Sequence, residues 1–171
     1  KAGIPSTICI PDCAPISKIE ATKRYGAQVE LVNGIYDDAY NRAAELQKEQ
    51  GMTLIHPFDD VDVIAGQGTI GLEILDQLED VDAVIVPIGG GGLISGVAYA
   101  IKSLNPNCKV YGVQASGAPS MRNSIDHHQI ETLEKVSTIA DGIAVKRPGK
   151  LTYELCEKYV YKMVDLIKAK G

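Results

Sequence analysis

Residues 83–104 run Ala-Val-Ile-Val-Pro-Ile, then four consecutive glycines, then Leu-Ile-Ser-Gly-Val-Ala-Tyr-Ala-Ile-Lys-Ser-Leu. The first six are wholly apolar, which is the pattern of a strand covered on both faces. Leu93, Ile94, Val97, Ala98, Ile101 and Leu104 then recur at helical spacing. A buried strand that passes straight into an amphipathic helix is half of a parallel βαβ unit, because parallel neighbours need a crossover and a hairpin cannot supply one. On open α/β sheets, ligands collect at the carboxyl ends of the strands, which here means Pro87 to Gly92.

The rest of the chain repeats the alternation. Strands are expected at Thr7–Ile10, Gln28–Val32, Thr53–Ile55 and Lys109–Gln114. Helices are expected from Pro15 to Tyr25 with Gly26 as the left-handed stop, from Tyr36 to Gln50, from Thr69 to Leu78, and from Leu151 to Val164, where Leu155, Tyr159, Val160 and Met163 follow a helical period. The fold class that results is α/β, an open, mostly parallel sheet with helices on both faces.

At 171 residues and 45% hydrophobic content the chain can build a real core. Its net charge of −5 argues against nucleic acid or an anionic membrane as partner. It has no apolar run near the roughly 20 residues of a membrane helix. Cys9, Cys13, Cys108 and Cys156 lack metal or redox spacing and read as reduced, mostly buried thiols of a cytoplasmic protein.

Gly89 to Gly92 form the chemical centre. Without Cβ atoms, successive backbone N–H groups can converge on one point, and the helix that begins at once adds unsatisfied donors and a partial positive charge of about half an electron. That is a cradle for a phosphate. The segment lacks the Gly-Lys-Ser/Thr ending of a P-loop and the spaced glycines of a dinucleotide fingerprint. A side chain such as Gly91→Asp is expected to intrude on the phosphate and to harm the fold less, since the loop caps a helix at the sheet surface.

The stretch Val86-Pro87-Ile88-Gly89-Gly90-Gly91-Gly92-Leu93-Ile94-Ser95-Gly96 resembles the tetraglycine loop of fold-type II pyridoxal-phosphate enzymes. His56-Pro57-Phe58-Asp59-Asp60 with Ile64-Ala65-Gly66-Gln67-Gly68-Thr69, Thr138-Ile139-Ala140-Asp141-Gly142, Pro148-Gly149 and Ala14-Pro15 through Tyr25-Gly26-Ala27 are similar to the threonine dehydratase branch of the serine/threonine dehydratase family. The resemblance implies a tryptophan synthase beta-like fold, pyridoxal 5′-phosphate as cofactor, and its phosphate on Gly89, Gly90, Gly91, Gly92 and Leu93. It also implies an amino-acid substrate, L-threonine or L-serine, a homo-oligomeric state, and residues 1–52 and 53–171 as parts of a small substrate-closing domain and a large cofactor domain.

That family carries its Schiff-base lysine in a Ser-x-Lys-x-Arg-Gly segment. None of the thirteen lysines here has that setting, so the resemblance places the catalytic lysine upstream of Lys1 and makes the chain an internal fragment. Asp59 and Asp60 are either helix caps or, for Asp60, an acid near the substrate entrance. Gly142 either lines the cofactor ring or makes a turn. Asn33, Gly34, Tyr36 and Asp37 resemble the place where catabolic dehydratases bind AMP or ADP, and as plain chemistry they are a turn into a helix. Serine racemases of eukaryotes hold a cation through two acids where this chain has Gln114 and Ser120, so no metal is expected. His56 is expected to be structural and His127-His128 a solvated pair.

Overall fold

The computed structural model describes residues 3–34 and 36–166, apart from the side chains of Asp37 and Leu166. The chain divides into two compact units, Lys1–Leu54 and Ile55–Gly171.

In the first unit, β1 (Thr7–Pro11), α1 (Ile16–Arg24), β2 (Gln28–Val32) and α2 (Tyr36–Gln50) follow one another. β1 and β2 pair in parallel, from Thr7 opposite Gln28 to Pro11 opposite Val32. Pro15 stands at the N-cap of α1, where its missing N–H leaves nothing unsatisfied, and Gly26 follows the helix at φ 88°. Among the described residues of this unit, Ile19, Ala39 and Leu46 are the buried apolar ones. Thr53-Leu54-Ile55 does not form a strand. A strand exists by its ladder, and this three-residue run has no described neighbour to bond to.

The second unit contains α3 (Val61–Gln77), β3 (Ala83–Pro87), α4 (Gly92–Leu104), β4 (Lys109–Ala115), α5 (Ser120–Asp126), a 3₁₀ turn at Asp141–Ile143, α6 (Lys150–Tyr159) and β5 (Lys162–Leu166). Its sheet has the order β3-β4-β5, and both pairings are parallel. The architecture is thus α/β with parallel sheets. The core gathers Val86, Ile88, Ile94, Val97, Ile101, Val110, Met121, Cys156 and Met163.

Four sequence expectations change here. First, α3 starts at Val61, eight residues before Thr69, because the Asp60 carboxylate accepts the N–H groups of Asp62 (2.8 Å) and Val63 (3.2 Å) and opens the helix there. The glycines that blur the helical pattern, Gly68 and Gly71, are buried where α3 meets α4, and packing overrides their poor propensity. Second, α6 ends at Tyr159, and Met163 lies on β5 opposite Gly112. The Leu155–Tyr159–Met163 spacing fits a helix, but Val160 is extended at φ −84°, ψ 125°. Third, Ile85 is 71% exposed, so among the described residues β3 is covered on one face only. Leu104, at the last position of α4, is likewise exposed. Fourth, all four cysteines are free, but only Cys108 and Cys156 are buried; Cys13 is exposed and Cys9 half-buried.

Candidate functional site

The β3–α4 junction is built from backbone. Ile88 donates the final ladder bond to Val113 O (2.8 Å), and the first helical bond of α4 runs from Ser95 N to Gly91 O (3.0 Å). Between them the N–H groups of residues 89–94 have no hydrogen-bond partner among the described residues. Gly90, Gly91 and Gly92 are buried. Buried N–H groups without partners are costly, so a row of them at a helix N-terminus fits an anionic group with several acceptor oxygens, such as a phosphate.

The need for glycine comes from beneath the loop. A Cβ on Gly90 would stand 2.5 Å from the Phe58 ring, one on Gly91 2.6 Å from Met121 Cε and 2.7 Å from Thr152 Cβ, and one on Gly92 2.9 Å from Phe58 Cα. Gly91 also holds φ 102°, in the left-handed region. This corrects the expectation that a side chain at Gly91 harms the fold less than the phosphate site: it would be driven into the protein floor. Gly89 is roofed by Ile143 Cα and Val145 Cγ2, each 3.2 Å from its Cβ position, with Gly142 O at 3.5 Å. Gly142 is therefore brought to the loop.

Asp59 and Asp60 both act as caps. Asp60 caps its own helix, while Asp59 reaches across to α6, accepting from Lys150 N (3.0 Å) and Thr152 N (3.1 Å). Phe58 under the glycines and Thr152 beside them were not foreseen; no local pattern signals contacts between residues so far apart in sequence, 62 positions for Thr152 and Gly90.

His56 anchors the same turn. Its Nδ1 accepts from Asp59 N (2.9 Å) and Phe58 N (3.3 Å), and its ring meets Phe58 edge-on at 4.7 Å. Burial pushes the ring below its ordinary 6.5 and outweighs the opposite pull of Asp59 and Asp60. The unfolded chain therefore binds the proton first on acidification. The contribution of His56 to stability is full above 6.5 and is lost as pH falls through the lowered value. Between about pH 7.5 and about 5.5, the urea midpoint of the protein should fall further than that of His56→Asn, whose amide oxygen keeps an acceptor without titrating. Equal falls in the two proteins would show that His56 has no part in the acid sensitivity.

The remaining candidates serve structure or belong to the first unit. Gln114 is fully buried, accepting from Arg122 N (2.8 Å) and donating to Ile88 O (3.4 Å), and Ser120 donates to Val145 O (2.8 Å). In the first unit, Asn33 donates to Asp12 Oδ2 (2.8 Å), Gly34 takes φ 131° and Tyr36 opens α2; the Asp37 side chain lies outside the described residues. His127 and His128 are exposed beside Glu131 (2.9 Å) and Glu157 (3.3 Å). Burial pushes the Cys156 thiol up to about 12, which leaves it unreactive. No helix among the described residues is long and apolar enough to cross a membrane.

Known proteins share this architecture. The chain is 56% identical over 162 residues to an L-threonine ammonia-lyase of Thermotoga maritima, a match that covers 95% of the chain and 40% of that protein. It is 49% identical to a catabolic L-threonine dehydratase of Staphylococcus aureus, over 95% of the chain and 47% of the relative. The chain thus spans less than half the length of these curated relatives. Among solved structures, the processed threonine deaminase isoform 2 of Solanum lycopersicum superposes with a TM-score of 0.89 at 42% identity, covering 95% of this chain and 47% of that one. Maize serine racemase superposes with a TM-score of 0.91 at 38% identity, covering 96% and 50%. The family model described as pyridoxal-phosphate dependent enzyme matches residues 1–168, and the chain belongs to that family.

Proposed function

We propose that the full-length protein is an L-threonine ammonia-lyase that also accepts L-serine. The observation that carries this reading is the row of N–H groups at residues 89–94 without a partner among the described residues, in a chain 56% identical to a relative of that name. Pyridoxal phosphate, when bound, supplies the electron sink that lets the bond to the β-hydroxyl break. The net reaction balances: threonine loses water, the resulting enamine takes one water back, and 2-oxobutanoate and ammonia leave. The chain contributes Gly89, Gly90, Gly91, Gly92 and Leu93 as the phosphate cradle, and the floor residues keep the loop in shape. Gly142 is assigned beside the cofactor ring, supported by its nearness to Gly89. Asp60 is assigned to the substrate entrance in addition to its capping role. Residues 1–52 and 53–171 are assigned to the small and large domains, a division supported by the compact units that part after Leu54. The turn of Asn33, Gly34, Tyr36 and Asp37 is assigned to an AMP or ADP effector, and the protein to the cytoplasm as a dimer or tetramer.

Serine racemase is the second reading, favoured by the maize neighbour. Against it, Gln114 and Ser120 spend their polar atoms on internal hydrogen bonds and carry no charge for a cation. The expected result is a kcat/KM for L-threonine above that for L-serine, with 2-oxobutanoate formed at the same rate with and without a chelator. Activity lost to the chelator and restored by magnesium, or racemisation of serine outpacing elimination, would reverse the choice.

A further inference from the structure

We propose that Asp59 is a positioning residue for the phosphate cradle, acting through the N-terminus of α6 and the hydroxyl of Thr152 on the peptide between Gly90 and Gly91. The proposal rests on the reading of residues 89–93 as that cradle.

α6 has Gly149 as N-cap and no side-chain cap of its own. Asp59 does that work from a distant part of the chain, with one carboxylate oxygen on Lys150 N (3.0 Å) and the other on Thr152 N (3.1 Å). A Cβ on Gly149 would run into the Asp59 carboxylate, so glycine is what admits the clamp. This gives Gly149 a physical reason that its place in the sequence does not.

Thr152, so held, is fully buried, and its Oγ1 donates to Gly90 O at 2.6 Å. Gly149 N adds a longer bond to the same oxygen (3.4 Å). The Gly90–Gly91 peptide is trans. In a planar trans peptide the N–H lies opposite the C=O. Fixing Gly90 O toward α6 therefore turns the Gly91 N–H, one of the unpartnered donors, away from Thr152. The carboxylate sets the helix end, the helix end sets the hydroxyl, and the hydroxyl sets the direction of a cradle donor. His56, accepting from Asp59 N, fixes the backbone that carries the carboxylate.

The test compares pyridoxal 5′-phosphate with pyridoxal, which lacks only the phosphate, on the cofactor-free full-length protein and on Asp59→Asn, Thr152→Val and Thr152→Ser. The ratio of the two dissociation constants isolates the phosphate contribution. In the unmodified protein the phosphate form should bind at least about tenfold tighter. In Thr152→Val the ratio should fall by about tenfold while pyridoxal affinity holds, and Thr152→Ser should restore it. Asp59→Asn, which keeps an acceptor for only one of the two N–H groups, should fall in between. An unchanged ratio in Thr152→Val and Asp59→Asn would overturn the positioning role, and so would an equal loss of both ligands. If the unmodified protein itself shows no preference for the phosphate form, the cradle reading fails first, a result distinct from the other two.

Discussion

Gly91→Asp in the full-length protein is expected to lose on the order of 5 kcal/mol of folding stability, even with no cofactor present. Three effects act together. Gly91 sits at φ 102°, and a residue with a Cβ there costs roughly 1–2 kcal/mol. The Cβ would stand 2.6 Å from Met121 Cε and 2.7 Å from Thr152 Cβ, and both neighbours are fully buried; overpacking of this kind costs about 1–3 kcal/mol. The carboxylate would then enter a floor of uncharged side chains, Met121 and Thr152, at a further cost of several kcal/mol unless it takes up a proton. Against a total stability of about 5–15 kcal/mol, the sum is enough to unfold much of the protein. Gly89→Ala is the control. Its φ is not in the left-handed region and its nearest neighbours stand at 3.2 Å, so the penalty should be on the order of 1 kcal/mol. Urea midpoints of the cofactor-free proteins check both. A Gly91→Asp protein with an unchanged midpoint and lost cofactor would mean that the side chain points to the ligand instead of the floor.

The floor packed beneath Gly91, where a surface loop is expected from the sequence, marks the limit of what could be read locally. The strand, the glycines and the helix of residues 83–104 were legible because each is a local pattern: an apolar run, a string of residues without Cβ, and a 3.6-residue period. They placed β3 and α4 at the right positions. What lies under the glycines was not legible, since Phe58, Met121 and Thr152 arrive from three separate stretches of chain. Asp59 and Asp60 illustrate the same limit. Adjacent and chemically identical, they invite one local reading, but Asp60 caps the helix that follows it and Asp59 caps one that starts at Lys150. The period of residues 151–164 misled because Met163 continues the helical spacing by coincidence, and the pairing of β5 with β4 is decided by contacts distant in sequence.

The glycines of α3 and α4 set two opposed rules against each other. In a helix interior, Gly→Ala gains about 1 kcal/mol from propensity. At Gly66 that rule should win, because nothing lies within 4 Å of its Cβ position; Gly66→Ala should raise stability by roughly 0.5–1 kcal/mol. At Gly96 it should lose. A Cβ there would run into Ile64 O and approach Gly68 N at 2.6 Å and Gln67 C at 2.9 Å, all backbone of α3, which has no rotamer with which to step aside. The approach is reciprocal: a Cβ on Gly71 would lie 3.0 Å from Val97 O, and one on Gly68 3.3 Å from Gly96 O. One helix would have to move bodily. α3 is tied at its start by the Asp60 cap, and α4 is tied through residues 89–91 to β3. Overpacking against rigid backbone belongs at the upper end of the usual range of about 1–3 kcal/mol, so the net loss for Gly96→Ala should be about 2 kcal/mol after the propensity gain. The consequence reaches the candidate site, since the N-terminus of α4 carries the unpartnered amides, and a shift of the helix by even part of an ångström changes where they converge. Affinity for pyridoxal 5′-phosphate should therefore drop in Gly96→Ala and stay unchanged in Gly66→Ala. Two midpoints that move in the same direction would show that propensity, and not the contact between the helices, governs both positions.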